Sequence, residues 1–273
     1  MNQPNAAAAC LASKPPHCQT HLYPLAFCPC APLPQPVSTD TRFFTGNYPP
    51  GASIDVCVSK AKIPPENTAW RELVPKLALN GDSRLAVPAQ SGEPVTHVRL
   101  NIFPDGGVAR LRIYGQIVRD FKKGEEADLA AMINGALPVL ANNEHFGKVS
   151  FMLQPGKSVN MGDGWETRRR REPGHDWAII KLAATGVIDR FLVDTNHFKG
   201  NFPDRCCIQG APENADPDSA ESWPVILPQQ KLSADHEHVF EQEIVPHEPV
   251  RYLRLNIMPD GGIARLRAFG RVT

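Results

Sequence analysis

The sequence predicts an all-β chain of two tandem β-sandwiches of jelly-roll type, and three observations carry that prediction. The first is a phrase that occurs twice. Residues 99–115 read RLNIFPDGGVARLRIYG and residues 254–270 read RLNIMPDGGIARLRAFG. The copies agree at thirteen of seventeen positions and lie 155 residues apart. That spacing is of domain size, far above the roughly 20–50-residue period of solenoids and propellers. The second is the recurrence of short segments of period-two alternation between Pro, Gly and Asn punctuation, the pattern of sandwiches and barrels. The third is the scarcity of helical periodicity, which only residues 125–133 show.

Taken in order, residues 1–38 are rich in Pro, Ala and Cys, carry little charge and show neither periodicity. Such a segment buries too little apolar surface to offset its ordering entropy, so it is expected to be disordered. Cys10, His17, Cys18, His21, Cys28 and Cys30 fall here, with spacings that match no standard zinc finger. From Thr39 the chain becomes regular. Its TDTRFFTGNYP at residues 39–49 is answered by VDTNHFKGNFP at residues 193–203, and Trp70, Pro75 and Leu79 align with Trp223, Pro228 and Leu232. Residues 39–119 therefore repeat residues 193–273. Residues 120–192 have no counterpart earlier in the chain, so 39–119 reads as a partial first repeat and 120–273 as a complete second one. Strands missing their neighbours expose backbone donors and apolar faces. The partial repeat is thus expected to be stable only when docked.

Within each copy, the repeated phrase is expected to form a β-hairpin. Leu100 and Ile102 alternate with Arg99 and Asn101, Pro104-Asp105-Gly106-Gly107 supplies the turn, and Leu111 and Ile113 alternate with Arg110 and Arg112. Leu255, Ile257, Leu266 and Ala268 repeat the pattern. Further strands are expected at 177–182, 187–193 and 206–209. Asp105 and Asp260 read as turn-stabilising aspartates, the arginines of the return strand as outward-facing, and Trp70 and Trp223 as packing residues.

The composition limits the function classes. Lys plus Arg equals Asp plus Glu at 29 each, so no global field favours nucleic acid or an anionic membrane. No apolar run of about 18 residues marks a membrane-spanning helix, and no basic segment followed by an apolar run marks a signal peptide. Seven cysteines form no paired framework. Reduced thiols in an intracellular compartment, cytoplasmic or peroxisomal, are the expectation.

The two repeated phrases, together with NMGDGWETRRRREPGHDW at residues 160–177, closely resemble the allantoicase family over about residues 39–273. The resemblance implies tandem galactose-binding-like jelly rolls. It also implies hydrolysis of allantoate to ureidoglycolate and urea in purine catabolism. A complete member carries the Gly-Trp-Glu motif in both repeats, whereas this chain has it only in the second.

The residues themselves suggest how such chemistry could be carried. Breaking one C–N bond of a ureido acid needs an acid for the departing nitrogen and a base for water or the remaining ureido nitrogen. The substrate carboxylate calls for planar, bidentate arginine donors. Residues 163–171 offer all three. Glu166 and Asp163 are the candidate acid and base, Arg168 and Arg170 the clamp, with Glu166, Arg168 and Arg170 on one face if the segment is a strand. The competing reading is an internal Glu–Arg network around a core Trp165. His145 is a third catalytic candidate because histidine is the side chain most used as a general acid or base, and Asn143 beside it a substrate-binding one. Asp194 is a fourth substrate-binding candidate, although with Thr195 it could equally close a loop through side-chain to backbone bonds. No metal signature is present. His236 and His238 could share a strand face but read as exposed polar residues, so neither metal nor cofactor is expected. The expected partners are the small-molecule substrate and further copies of the chain in a homo-oligomer, with no nucleic acid and no membrane. Two other readings remain: a non-catalytic ligand-binding jelly roll, and an inactive form that only associates with longer subunits.

Overall fold

The computed structural model describes residues 19–27, 35–89, 91–115 and 117–273, with side chains from Val37 onward. The chain divides into two compact units between Val118 and Arg119. The first holds β1 (Gln19–Phe27), β2 (Gln35–Asp40), β3 (Gly51–Cys57), β4 (Arg71–Ala78), β5 (Arg84–Ala89), β6 (Val95–Phe103) and β7 (Arg110–Ile113). They form two sheets, ordered β1-β6-β3-β4 and β5-β2-β7. Alternation places Val98, Leu100 and Ile102 of β6 and Ile54 and Val56 of β3 in the core, with Val37 of β2 in the same cluster.

The second unit holds β8 (Glu126–Asp128), β9 (Leu137–Ala141), helix α1 (Val149–Met152), β10 (Trp165–Glu166), β11 (Asp176–Asp194), β12 (Arg205–Ala211), β13 (Val225–Lys231), β14 (Glu237–Phe240), β15 (Val250–Met258), β16 (Gly262–Ile263) and β17 (Arg265–Val272). The 19-residue β11 organises it. The first half of β11 pairs with β15 and β9, the second half with β17 and β14. Gly186 stands opposite both Val250 and Val272, where the strand passes from one set of neighbours to the other. Ala178, Ile180, Leu182, Phe191 and Val193 line the core beneath it.

Four expectations change against this architecture. The repeated phrase is not a hairpin. β6 pairs with β1 and β3 while β7 pairs with β2, and β11 stands between β15 and β17. The Pro-Asp-Gly-Gly segment links strands that pair with other neighbours, and period-two alternation cannot distinguish the two arrangements. Its glycines have specific reasons. Gly106 and Gly261 take φ of 136° and 138°, which only glycine adopts without strain. A Cβ at Gly107 or Gly262 would lie 2.1 or 2.0 Å from the ring of Phe44 or Phe198. Phe44 and Phe198 of the two Asp-Thr phrases thus each pack on a glycine of the other phrase.

The second change concerns residues 1–38. Residues 19–27 are a strand on β6, and residues 35–38 open β2. Gln19 pairs with Ile102 and His21 with Leu100, just as Asp176 and Ala178 pair with the repeat-equivalent Ile257 and Leu255. β1 therefore takes the register of the first half of β11. An open row of β6 donors and acceptors recruits it through backbone pairing, which needs no side-chain pattern. Cys10, His17, Cys18, Cys28 and Cys30 lie outside the described residues. The third change is that residues 125–133 form β8 and a 3-10 turn at Met132–Asn134 rather than a helix. Fourth, the arginines of the return strand in the second unit do not face outward: Arg265 is 3% exposed, and only 12% of the Arg267 side chain is exposed.

The described residues of the first unit include no counterpart of β8, β9 or β10. In the second unit, Ile263 and Ala264 are fully buried and Arg265 nearly so. The equivalent Val108 is half-buried, and Ala109 and Arg110 are exposed.

Candidate active site

The site grows from the loop after β10. Trp165 is fully buried, and its Nε1 donates to the Asn143 carbonyl at 2.8 Å. That bond fixes the Asn142–Asn143 turn. Asn143 Oδ1 in turn accepts the backbone N–H of His145 at 3.1 Å and of Arg168 at 3.3 Å. Thr167 ties the same loop to the Pro-Asp-Gly-Gly segment, since the N–H of Gly261 donates to its Oγ1 at 3.1 Å. The Arg170 N–H donates to Asp260 Oδ2 at 2.8 Å. Asp260 therefore anchors the arginine loop rather than its own turn.

The loop so held borders an open cleft of about 440 Å³ lined by Asn143, Arg168, Arg169, Arg170, Arg171 and Glu172. The four guanidinium groups are not equivalent. Arg170 donates to fully buried Asp176 at 2.6 Å, and Asn142 Nδ2 holds the same Asp176 oxygen at 3.0 Å. The pair is incompletely matched: Asp176 Oδ2 and Arg170 Nε are buried without partners. Arg168, Arg169 and Arg171 make no ion pair among the described residues. They are the arginines able to receive an external carboxylate, and Glu172 is the carboxylate on the same wall.

The sequence-predicted residues divide accordingly. Arg168, Arg170 and Asn143 are brought together at the cleft. Glu166 is not aligned with Arg168 and Arg170 on a strand face, because β10 ends at Glu166 and residues 168–171 are loop. Its carboxylate instead accepts from Asn201 Nδ2. Asp163 is engaged by Arg265 at 2.7 Å, and that guanidinium also bonds the carbonyls of Gly156, Phe151, Asp163 and Ala264. This is a structural clamp. His145 is exposed, and its ring meets the edge of Phe146 with centroids 4.5 Å apart.

Asp194 is 2% exposed and accepts the Asn196 N–H at 2.7 Å. Burial pushes its carboxyl pKa up. Thr195 beside it donates to Ser233 O at 2.6 Å. In the first unit Asp40 and Thr41 make the same loop-closing bonds, to the Arg42 N–H and the Asn80 carbonyl. Among the described residues no three His, Cys, Asp or Glu side chains converge on a metal position. No helix there is long and apolar enough to cross a membrane. Sequence reasoning missed Asn142, Asp260 and Glu172. Their signals were the Asn-Asn doublet, the repeated aspartate, and the single acid closing a run of four arginines.

A family model described as the allantoicase repeat matches residues 33–118 and 127–273. Curated relatives include "Probable allantoicase 2" of Burkholderia pseudomallei, 53% identical over 244 residues, covering 86% of this chain and 73% of the relative. "Probable allantoicase" of Pseudomonas aeruginosa is 48% identical over 242 residues, covering 86% and 73%. Among solved structures, an allantoicase from Saccharomyces cerevisiae superimposes with a TM-score of 0.75 at 33% identity, covering 93% of this chain and 77% of that one. A second solved allantoicase gives 0.74 at 32% identity, covering 93% and 78%.

Proposed function

This chain belongs to the allantoicase family and hydrolyses allantoate to ureidoglycolate and urea, a step of purine catabolism; we propose that the arginine-walled cleft of the second unit is where it does so. One observation carries that placement. Three guanidinium groups without ion pairs among the described residues and one carboxylate line a single cleft whose loop is pinned by Asn143, Asp176 and Asp260.

Arg168, Arg169 and Arg171 hold the substrate carboxylate. Arg170, tied to Asp176, keeps the loop in register and acts as a positioning residue. The reaction breaks the bond between the central carbon and one ureido nitrogen. Urea leaves with an added proton, the remaining ureido nitrogen supplies the electron pair that expels it, and water delivers hydroxyl to the carbon. Glu172 on the cleft wall is the proton donor and acceptor in this scheme. Glu166, held by Asn201 at the start of the same loop, is the second carboxyl.

Urea release from allantoate by the purified chain tests the reading. Glu172→Gln is expected to lower kcat by about 10²–10⁴-fold, the usual cost of removing a general acid–base group. Arg169→Ala is expected to raise KM. A wild-type rate in both variants would move the reaction elsewhere. A folded chain with no turnover would favour the non-catalytic reading.

A further inference from the structure

The Pro-Asp-Gly-Gly segments of the two units are held alike from behind, and only one of them is covered in front. Phe44 packs on Gly107 as Phe198 packs on Gly262. The Gly107 N–H donates to Asn47 O at 2.7 Å and the Ala109 N–H to Asp40 O at 2.8 Å. The equivalent bonds, Gly262 to Asn201 O and Ala264 to Asp194 O, measure 2.8 and 2.7 Å. The inner side of the segment is complete in both units.

The outer side differs. In the second unit β10 lies antiparallel along β16, with Trp165 opposite Ile263 and Glu166 opposite Gly262. The Thr167 N–H extends that ladder to Gly261 O at 3.1 Å. Three polar contacts flank it: Arg265 engages Asp163 at 2.7 Å, Asn201 Nδ2 donates to Glu166, and Asp260 accepts the Arg170 N–H at 2.8 Å. The first unit presents the equivalent groups on Arg110, Asn47 and Asp105. All three residues are exposed, and their side chains make no hydrogen bond or ion pair among the described residues. The Gly106 carbonyl and the Val108 N–H are likewise unmatched there. A row of main-chain groups fixed from behind and open in front is a template for strand addition.

We propose that the segment 106–110 of the first unit is a docking site for an extended stretch of another polypeptide that presents an acid, a glycine, an aromatic residue and an acid in that order. Charge and shape select this occupant. Arg110 takes the first acid as Arg265 takes Asp163, and the Asn47 amide takes the second as Asn201 takes Glu166. The residue between must be glycine: a Cβ at Gly164 would lie 2.7 Å from Ile263 O and 3.1 Å from the Phe198 ring, and Val108 and Phe44 are the repeat equivalents of those neighbours. The aromatic residue lies opposite Val108, half-buried where Ile263 is fully buried. A second copy of this chain is a poor donor, because its own Trp165 is fully buried in the second unit.

Fluorescence anisotropy of a labelled peptide with the sequence of residues 158–168, titrated with the full-length chain, tests the site. Saturable binding is expected. Arg110→Glu, a change at an exposed position, is expected to weaken it by about tenfold or more through like-charge repulsion. A peptide carrying Asp163→Lys is expected to bind the original chain as weakly and to regain affinity for the Arg110→Glu chain. A peptide carrying Gly164→Val, which leaves the protein untouched, is expected not to bind. Absence of saturable binding overturns the proposal, as does affinity indifferent to Arg110→Glu or to Gly164→Val, or a charge exchange that restores nothing. Sedimentation showing a dimer of the chain that Arg110→Glu dissociates would give the face to a second copy and overturn it as well.

Discussion

Individual residues in this chain owe their roles to partners far away in sequence, which is why some were legible and others not. The arginine run at 168–171 marks a candidate anion site by composition alone. That Arg170 is already spent on Asp176 is a tertiary fact that composition does not carry. Asp163 reads as a candidate acid or base in the sequence, and the guanidinium of Arg265, 102 positions later, engages its carboxylate. His238 illustrates the same dependence and yields a prediction. Its Nε2 accepts the Ser233 N–H at 2.9 Å, so its Nδ1 carries the proton that is donated to Val193 O. Burial lowers its pKa, and His236 beside it lowers it further, against Asp194, which raises it. Because the folded form binds this proton less readily than the unfolded chain, stability is full above the unfolded histidine value of about 6.5 and falls as pH drops below it. Urea midpoints measured downward from neutrality are expected to fall, and to fall less in His238→Gln. Identical pH slopes would remove His238 from the account.

Among the elements, β11 shows what periodicity can and cannot foretell. Its two halves were recognisable as strands at 177–182 and 187–193, but not as one continuous strand with different partners along its length. The junction is Gly186, where a Cβ would lie 2.6 Å from the Arg271 carbonyl oxygen and 2.8 Å from a Leu129 methyl. Gly186→Ala is therefore expected to destabilise the second unit by about 1–3 kcal/mol, the usual range for overpacking. An unchanged urea midpoint would show that the strand can shift to make room. β1 shows the converse. No side-chain pattern marks residues 19–27, and their pairing is dictated by the row of β6 groups they meet. β-propensity describes fit to a context, and that context lies some eighty residues downstream.

At the scale of the whole molecule, duplication was the most legible property, because thirteen identities in seventeen positions need no structural interpretation. That the partial repeat would be the less stable one also followed from its missing half, but which residues it leaves open did not. The second unit buries its Ile263–Ala264–Arg265 segment under β10 and its neighbours, whereas the first leaves Val108, Ala109 and Arg110 partly or fully open. Among the described residues, the apolar cluster of the first unit is also the smaller. Hydrogen exchange is expected to find β3 and β6 opening at lower denaturant than β12 and β15. Simultaneous opening, or the reverse order, would mean that the open segment costs nothing.

The register of β1 on β6 has a practical corollary. A groove that accepts a strand by main-chain pairing, in phase with the strand its duplicate uses, can be loaded with other cargo. Deleting residues 19–27 and supplying a labelled extended peptide would turn the first unit into a split reporter whose signal reports strand insertion.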